Sequence, residues 1–413
     1  MVKKISVEQL VVGMHLKEFC GSYMEHPFWR TGFVITDPKD IVTIRASSIK
    51  EVWIDSTKGL DVPKGVAAVS ESESQAQVEA ELSEAVQTPA RQVAPVSTAA
   101  EIQRAAKICA QSKQAVISMF QEARMGKAID VGGAQRMVEE ITDSVTRNPG
   151  ALISLARLKT VDDYTYMHSV AVCAMMVALA KQLGLDEPTT RVAGLAGLMH
   201  DLGKAAMPME VLNKPGKLTD AEFSIIKKHP EEGHRMLLTG SAVDPVVLDV
   251  CLHHHEKTDG SGYPKHMKNE EISLFAKMGA VCDVYDAITS NRPYKSGWDP
   301  AESLRKMAEW ANGHFDPKVF QAFVKSLGIY PIGSLVRLSS GRLGVVVEQT
   351  GKSLTTPSVK AFFSTKSNMR IVPEVIDLSA QGCSEKIASR EDPAKWRFAD
   401  LHELWSGIAS AGH

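Results

Sequence analysis

Several things are scarce in this sequence. Its 413 residues include only six cysteines (Cys20, Cys109, Cys173, Cys251, Cys282 and Cys383), and no two form a Cys-x-x-Cys pair. That argues against a disulfide framework and against a thiolate zinc knot, and makes a reducing cytosol the simplest setting. Long hydrophobic runs are missing too. The longest, Val170 to Ala180, has 11 residues, about half of a membrane span. The opening MVKKISVEQLVVG lacks the apolar core of a secretory signal, so a cytoplasmic protein without a membrane span is expected. Nor does one sign of charge prevail. With 47 Lys+Arg against 49 Asp+Glu the net charge is -2, which gives no reason to expect a nucleic-acid polymer or an anionic membrane as partner. The 44% apolar and 23% charged composition is that of an ordinary globular chain. Its length suits two or three domains.

Along the chain, residues 1–60 carry short apolar stretches (FVIT at 33–36, IVTI at 41–44, EVWID at 51–55) broken by Asp-Pro, Gly and Ser. They predict a small β-rich or α/β N-terminal module. Residues 61–100 contain no aromatic residue and no isoleucine. Such a stretch buries too little to offset its ordering entropy, so a flexible linker is expected. From residue 101 to 330 the pattern is helical, with Val172, Met175, Met176, Leu179 and Leu183 on one face and Leu195, Leu198 and Met199 on another. Beyond 330, SLVRL and RLGVVVEQ flank Ser339-Ser340-Gly341 as a hairpin, and VKAFF and RIVPEVI follow as strands. A terminal helix from Glu391 would place Phe398, Leu401 and Trp405 on one face, packed against the body. The fold class is therefore mainly α, with small β-containing segments at both ends.

What is plentiful is histidine in one place. Seven of the 13 histidines fall between His168 and His255. Six of them, all but His234, form five segments with two aspartates: His168, His200-Asp201, His229, His253-His254-His255 and Asp283. The intervals are 32, 29, 24 and 30 residues, each about one helix plus its connection, so five helices could aim ligands at one centre. A lone histidine is more often a core residue; five segments in one helical region reverse that reading. Imidazole with carboxylate suits iron, manganese, zinc or nickel. Neighbouring His200 and Asp201 diverge by about 100° on a helix, which would let them serve two adjacent metals. Gly203 is expected to end that helix, and Lys204 then either neutralises the helix terminus or holds a phosphate. Asp283 and Asp286 share a helical face, and Arg292 and Lys295 follow, arginine being the natural bidentate clamp for phosphate.

HDLGK (200–204), KHPEEG (228–233), HHHEKTDGSGYP (253–264) and DVYDAITSNRPYK (283–295), with MPMEVLNKPGKLTDAEF (207–223) between them, together resemble the HD-GYP group of the HD-domain metal-dependent phosphohydrolases. The resemblance spans roughly residues 150–330. It implies an HD-type helical bundle and a bacterial phosphodiesterase that opens cyclic di-GMP to pGpG, and often on to GMP, at iron or manganese ions. It places the metal ligands on His168, His200, Asp201, His229, His254, His255 and Asp283. Lys204, Tyr263, Arg292 and Lys295 match its contacts to substrate phosphate and guanine, and His253 has no role there. Members with three metals carry a glutamate four residues before the first ligand histidine, where this chain has Tyr164. A phenol of pKa near 10 ionises at too high a cost to bridge metals, so a two-metal centre is expected and the second step to GMP is in doubt.

The implied chemistry is attack by a hydroxide shared between two metals about 3.5–4 Å apart. Asp201 would serve as bridging ligand, and Lys204 and Arg292 would offset transition-state charge. Asp286 is the candidate to orient a ligand imidazole. Two alternatives stay open: a phosphodiesterase preferring 3',3'-cyclic GMP-AMP, and a non-catalytic sensor or scaffold that binds cyclic di-GMP or a diguanylate cyclase domain. Dimerisation also stays open.

Overall fold

The computed structural model describes residues 1–20, 32–47, 49–63, 67–86, 96–158, 164–214, 216, 218–240, 243–290, 297–350 and 353–408. The chain divides into two compact units: Met1–Glu84 with Arg305–Asn312, and Ala85–Leu304 with Gly313–His413.

In the first unit, β1 (Val2–Ser6), β2 (His15–Cys20), β3 (Phe33–Val34), β4 (Glu51–Asp55) and β5 (Val69–Ser70) form a sheet of order β3-β2-β4-β1-β5. Its pairings are antiparallel, with Ile5 opposite Val52 and Leu16 opposite Ile54. Ile5, Leu16, Phe19, Val52 and Ile54 bury one face together with Ile41 and Ile44 of α1 (Pro38–Arg45). The IVTI stretch is thus helical. The Asp-Pro before it is a helix start rather than a break: Asp37 caps the Lys39 amide and Pro38 takes the first turn, where its missing N–H costs nothing. The described residues 67–86, inside the expected linker of 61–100, also depart from it. β5 pairs with β1, and α2 (Glu71–Val86) follows. Its Ala, Glu and Gln are strong helix formers that need no aromatic residue, and Ser74, Val78 and Leu82 bury one stripe.

The second unit is helical: α3 (Thr98–Arg124), α4 (Val131–Arg147), α5 (Pro149–Arg157), α6 (Tyr164–Gln182), α7 (Glu187–Met199), α8 (Met209–Leu212), α9 (Asp220–Ile226), α10 (His229–Leu238), α11 (Pro245–His253), α12 (Leu274–Thr289), the ends of α13 (Pro300–His314), whose Arg305–Asn312 stretch belongs to the first unit, and α14 (Pro317–Leu327). The apolar run Val170 to Ala180 is the centre of α6, buried on every side. This helix packs against α3, α4, α5, α7, α12 and α14, and an all-apolar helix of half a membrane span belongs in such a core. Close contact with α7 requires Gly197, where a Cβ would lie 3.0 Å from the Val172 carbonyl oxygen.

The hairpin around Ser339-Ser340-Gly341 is present as β6 (Leu335–Leu338) and β7 (Arg342–Glu348). With β8 (Ser358–Ser364), β9 (Met369–Asp377) and β10 (Ile387–Arg390) they make a sheet of order β10-β6-β7-β8-β9. The expected terminal helix is two short ones, α15 (Pro393–Trp396) and α16 (Leu401–Ser406). Arg397 adopts a left-handed backbone at φ 53° and breaks them, because Phe398 turns onto Phe362 and Phe363, at ring separations of 4.9 and 5.2 Å. Packing of the tail decides its path. Among the described residues no helix is long and apolar enough to cross a membrane.

Candidate metal centre

All seven histidine and aspartate positions singled out as ligands converge in the second unit, six of them buried and His255 partly exposed. His168 lies on α6, His200 ends α7, and His229 is the first residue of α10. His254 caps the end of α11, His255 follows it, and Asp283 lies on α12. The expected spacing of one helix per interval holds except between His200 and His229. There a 3-10 turn (Leu202–Ala206), α8 and α9 intervene.

Asp201 is the hinge of the arrangement. It begins that turn at φ -99°, outside the regular helix, so the turn rather than a helical 100° step separates it from His200. Gly203 does not terminate α7 as expected. Its role is proximity: a Cβ there would lie 1.8 Å from the His229 carbonyl oxygen. With that contact closed, Asp201 reaches ligand atoms on both sides. Its Oδ2 is 3.4 Å from His168 Nε2 and 3.4 Å from His200 Nε2. Its Oδ1 is 3.1 Å from His229 Nε2 and 3.8 Å from His254 Nε2. Asp283 Oδ1 closes the first side, 2.9 Å from His168 Nε2, while its Oδ2 is 3.7 Å from His255 Nδ1. Two ligand triads result, His168/His200/Asp283 and His229/His254/His255, each with its ligand atoms within 4.8 Å of one another.

The second ring nitrogens explain which atoms face inward. His200 Nδ1 donates to Gly197 O at 2.8 Å, His229 Nδ1 to Ile226 O at 2.7 Å, and His254 Nδ1 to Val250 O at 3.1 Å. A carbonyl only accepts, so each proton is held on Nδ1 and each Nε2 lone pair points into the cluster. His168 Nδ1 instead meets Asp286 Oδ2 at 2.6 Å. Charge states follow the same logic. Burial, then neighbouring His200 and His229, push His254 down to about 3, and burial beside His254 holds His255 well below its ordinary value. Burial would raise Asp201 and Asp283, yet Lys204 with His200 holds the first, and His168 the second, well below the carboxylate range. Near neutral pH His254 and His255 are thus neutral and Asp201 and Asp283 ionised, the forms that bind metal. For His168, burial opposes protonation but the bonds to Asp283 and Asp286 raise it.

A divalent metal fits this donor set. His200 Nε2 and Asp201 Oδ1 are buried and accept no hydrogen bond among the described residues. Leaving such atoms unpaired costs about 1–3 kcal/mol each, unless a cation takes the lone pairs. Imidazole nitrogen with carboxylate oxygen suits borderline first-row ions.

Lys204 lies at the edge of the cluster with its ammonium against Asp201 Oδ2. Tyr263 stacks on His255 at 4.7 Å between ring centroids. Arg292 and Lys295 lie outside the described residues, as does the Tyr164 side chain. His253 turns away and pairs with Asp249 at 2.8 Å, a partner that its i,i+4 spacing could have revealed. Two contributors went unnoticed in the sequence. Glu256, only 2% exposed, accepts from the Lys265 and Met267 amides at 2.5 and 3.0 Å and so anchors the Gly-Tyr-Pro loop. Lys227 stands over the Phe223 and Tyr263 rings at 4.8 and 5.2 Å. A glutamate in a Gly-rich loop and a lysine on an exposed turn carry no signal in sequence.

Two family descriptions match the chain: "Domain of unknown function (DUF3391)" over residues 2–134 and "HD domain" over residues 141–319. A cyclic di-GMP phosphodiesterase of Pseudomonas aeruginosa is 55% identical over 412 residues, covering 100% of this chain and 97% of its own. A cyclic di-GMP phosphodiesterase response regulator of Xanthomonas campestris is 34% identical, over 51% of this chain and 56% of its own. A 3'3'-cGAMP-specific phosphodiesterase of Vibrio cholerae is 36% identical, over 40% of this chain and 38% of its own.

Proposed function

Because the chain belongs to the HD-GYP family of cyclic di-GMP phosphodiesterases, we propose that it hydrolyses cyclic di-GMP to pGpG at two divalent ions, iron or manganese. The observation that carries this reading is the pair of ligand triads on opposite oxygens of Asp201. His168, His200 and Asp283 would hold one ion, His229, His254 and His255 the other, and Asp201 would bridge them. Ions held there would supply Lewis acidity, lowering the pKa of a water toward neutrality and offsetting charge on the phosphodiester oxygens.

The chain's own residues do the rest. The carbonyls of Gly197, Ile226 and Val250 fix three imidazoles, so little reorganisation is needed as charge develops. Asp286 holds His168. Lys204, 20% exposed at its side chain and beside Asp201, can pass from Asp201 to a non-bridging phosphate oxygen. Tyr263, on the Gly-rich loop anchored by Glu256, offers an aromatic surface to a guanine. Arg292 and Lys295 are proposed as further phosphate contacts on the strength of the motif alone.

Asp201→Ala removes the bridging ligand, and both hydrolysis and bound metal should be lost. Metal content and turnover of purified protein, loaded anaerobically with iron or manganese and with products resolved as pGpG or GMP, test this. Full activity in Asp201→Ala refutes the assignment. Side-by-side turnover of cyclic di-GMP and 3',3'-cyclic GMP-AMP decides base preference.

A further inference from the structure

A cavity in the second unit lies beside the ligand cluster rather than at it. It measures about 270 Å³ and lies among α4, α5, α6, α12, α14 and the β6–β7 region. One wall is a single stripe of α6: Ala171, Met175, Ala178, Lys181 and Gln182. Read backward at helical spacing, that stripe leads to His168, three residues before Ala171. Native interiors are packed with few voids larger than a water, so a space of this size edged by polar groups has the character of a ligand site.

Its lining is apolar along the body and cationic at the rim. Ile153, Met175, Leu327, Ile332 and Leu354 are all at most 7% exposed, while Arg157, Lys181 and Lys325 bring positive charge. The two lining carboxylates are both engaged elsewhere. Glu348 accepts from the Thr98 amide at 2.7 Å, from Thr98 Oγ1 at 2.8 Å and from Asn148 Nδ2 at 3.1 Å. Asp286 is held by His168 Nδ1 and by Ser290 Oγ at 3.3 Å. The hydrogen bonds of Lys181 and Arg157 run to neutral acceptors, Thr146 Oγ1 at 2.7 Å and Ile332 O at 3.3 Å. A ligand carboxylate or phosphate could take their place at little cost, and the walls would bury an apolar body.

We propose that this cavity binds a small amphipathic organic anion, and that its occupancy is coupled to the ligand cluster through Asp286, which lines the cavity and orients His168. Binding stands on the cavity alone; the coupling rests on the reading of His168 as a metal ligand. An ion without an apolar body would gain nothing from the walls, and a neutral apolar molecule would gain nothing from the positive charge of the rim.

The probe is 8-anilinonaphthalene-1-sulfonate, titrated by fluorescence into the manganese-loaded full chain. Its sulfonate-free counterpart, N-phenyl-1-naphthylamine, is the comparison. The sulfonate is expected to bind one site per chain, at least tenfold more tightly than the neutral compound. Ala178→Phe, which fills the cavity, and Lys181→Glu, which reverses the rim charge, should each weaken it at least tenfold. Lys181 is half-buried on the helix surface, so its variant remains informative if Ala178→Phe does not fold. Wild-type affinity in Lys181→Glu overturns the site. Saturating probe should also shift the manganese dissociation constant at least threefold in wild type but not in Lys181→Glu. Probe binding without that shift overturns the coupling. A protein that takes up no manganese refutes the metal reading, yet the probe titration still decides the site.

Discussion

Gly203 sits where the turn after His200-Asp201 meets the start of α10, and a Cβ built on it falls 1.8 Å from His229 O and 2.4 Å from Gly233 N. Both neighbours are backbone, so no side chain can swing aside. Ordinary carbon–oxygen contact begins near 3.4 Å, so in Gly203→Ala the two segments must separate by about 1.5 Å. Overpacking of this kind costs about 1–3 kcal/mol. The movement also carries His229 away from Asp201, now 3.1 Å apart, whereas metal ligation tolerates about 0.2 Å. Gly203→Ala should therefore lower the denaturation midpoint and lose most of the metal bound through His229. At Gly132 in α4 a Cβ meets nothing nearer than 3.5 Å. Gly132→Ala should therefore keep wild-type metal content, with stability unchanged or raised by about 0.5–1 kcal/mol from helix propensity. Denaturant titration with and without manganese, together with metal analysis, reads both effects. Wild-type midpoint and metal content in Gly203→Ala would refute the close-approach argument.

Other expectations follow from the same contacts. Asp286→Asn keeps an acceptor for His168 but removes its charge, and metal affinity measured by competition with a chelator should fall about 10–100-fold; unchanged affinity would count against Asp286 as the orienting group. Lys204→Ala should retain metal while turnover drops about 100–1000-fold, as for loss of one transition-state charge partner; a variant with full turnover removes Lys204 from the chemistry. Glu101 is fully buried and accepts from Ser144 Oγ at 2.9 Å and from Arg147 Nε and Nη2 at 2.9 and 2.8 Å. Glu101→Gln should cost about 1.5–3 kcal/mol in urea unfolding at neutral pH. Burial would raise that carboxyl, but Arg147 and Ser144 hold it below its ordinary value. Its contribution is therefore complete above the unfolded value near 4 and is lost as pH falls through the lower folded value. A wild-type-to-variant gap that stays constant from pH 7 to pH 3 would contradict this.

The convergence of the candidate ligand residues was legible because their chemistry is rare in composition and crowded in position. Five histidines between His168 and His255, spaced with Asp201 and Asp283 at intervals of about one helix, point to a metal more than to a core. The central helix was legible as well, since an apolar run too short for a membrane must be buried in protein. The strands of β6 to β9 announced themselves by alternation and by the Ser-Ser-Gly turn. Where local reading failed, packing had overruled it. The stretch IVTI became a helix because Asp37 and Pro38 started one, and the tail broke at Arg397 because Phe398 had aromatic rings to meet. Within residues 61–100, where the lack of aromatic residues points to a linker, Glu71–Val86 is helical because Ala and Glu suffice to form a helix.

By itself, then, the sequence determined the candidate donor residues, the helical region that carries them and the central helix, because residue type and periodicity are local properties. Only the tertiary structure decided which ligands stand on which oxygen of Asp201, which carbonyls fix the imidazole protons, and why residue 203 is glycine. Those depend on distances between segments far apart in the chain, and the intervals of 32, 29, 24 and 30 residues say nothing of how closely two backbones approach.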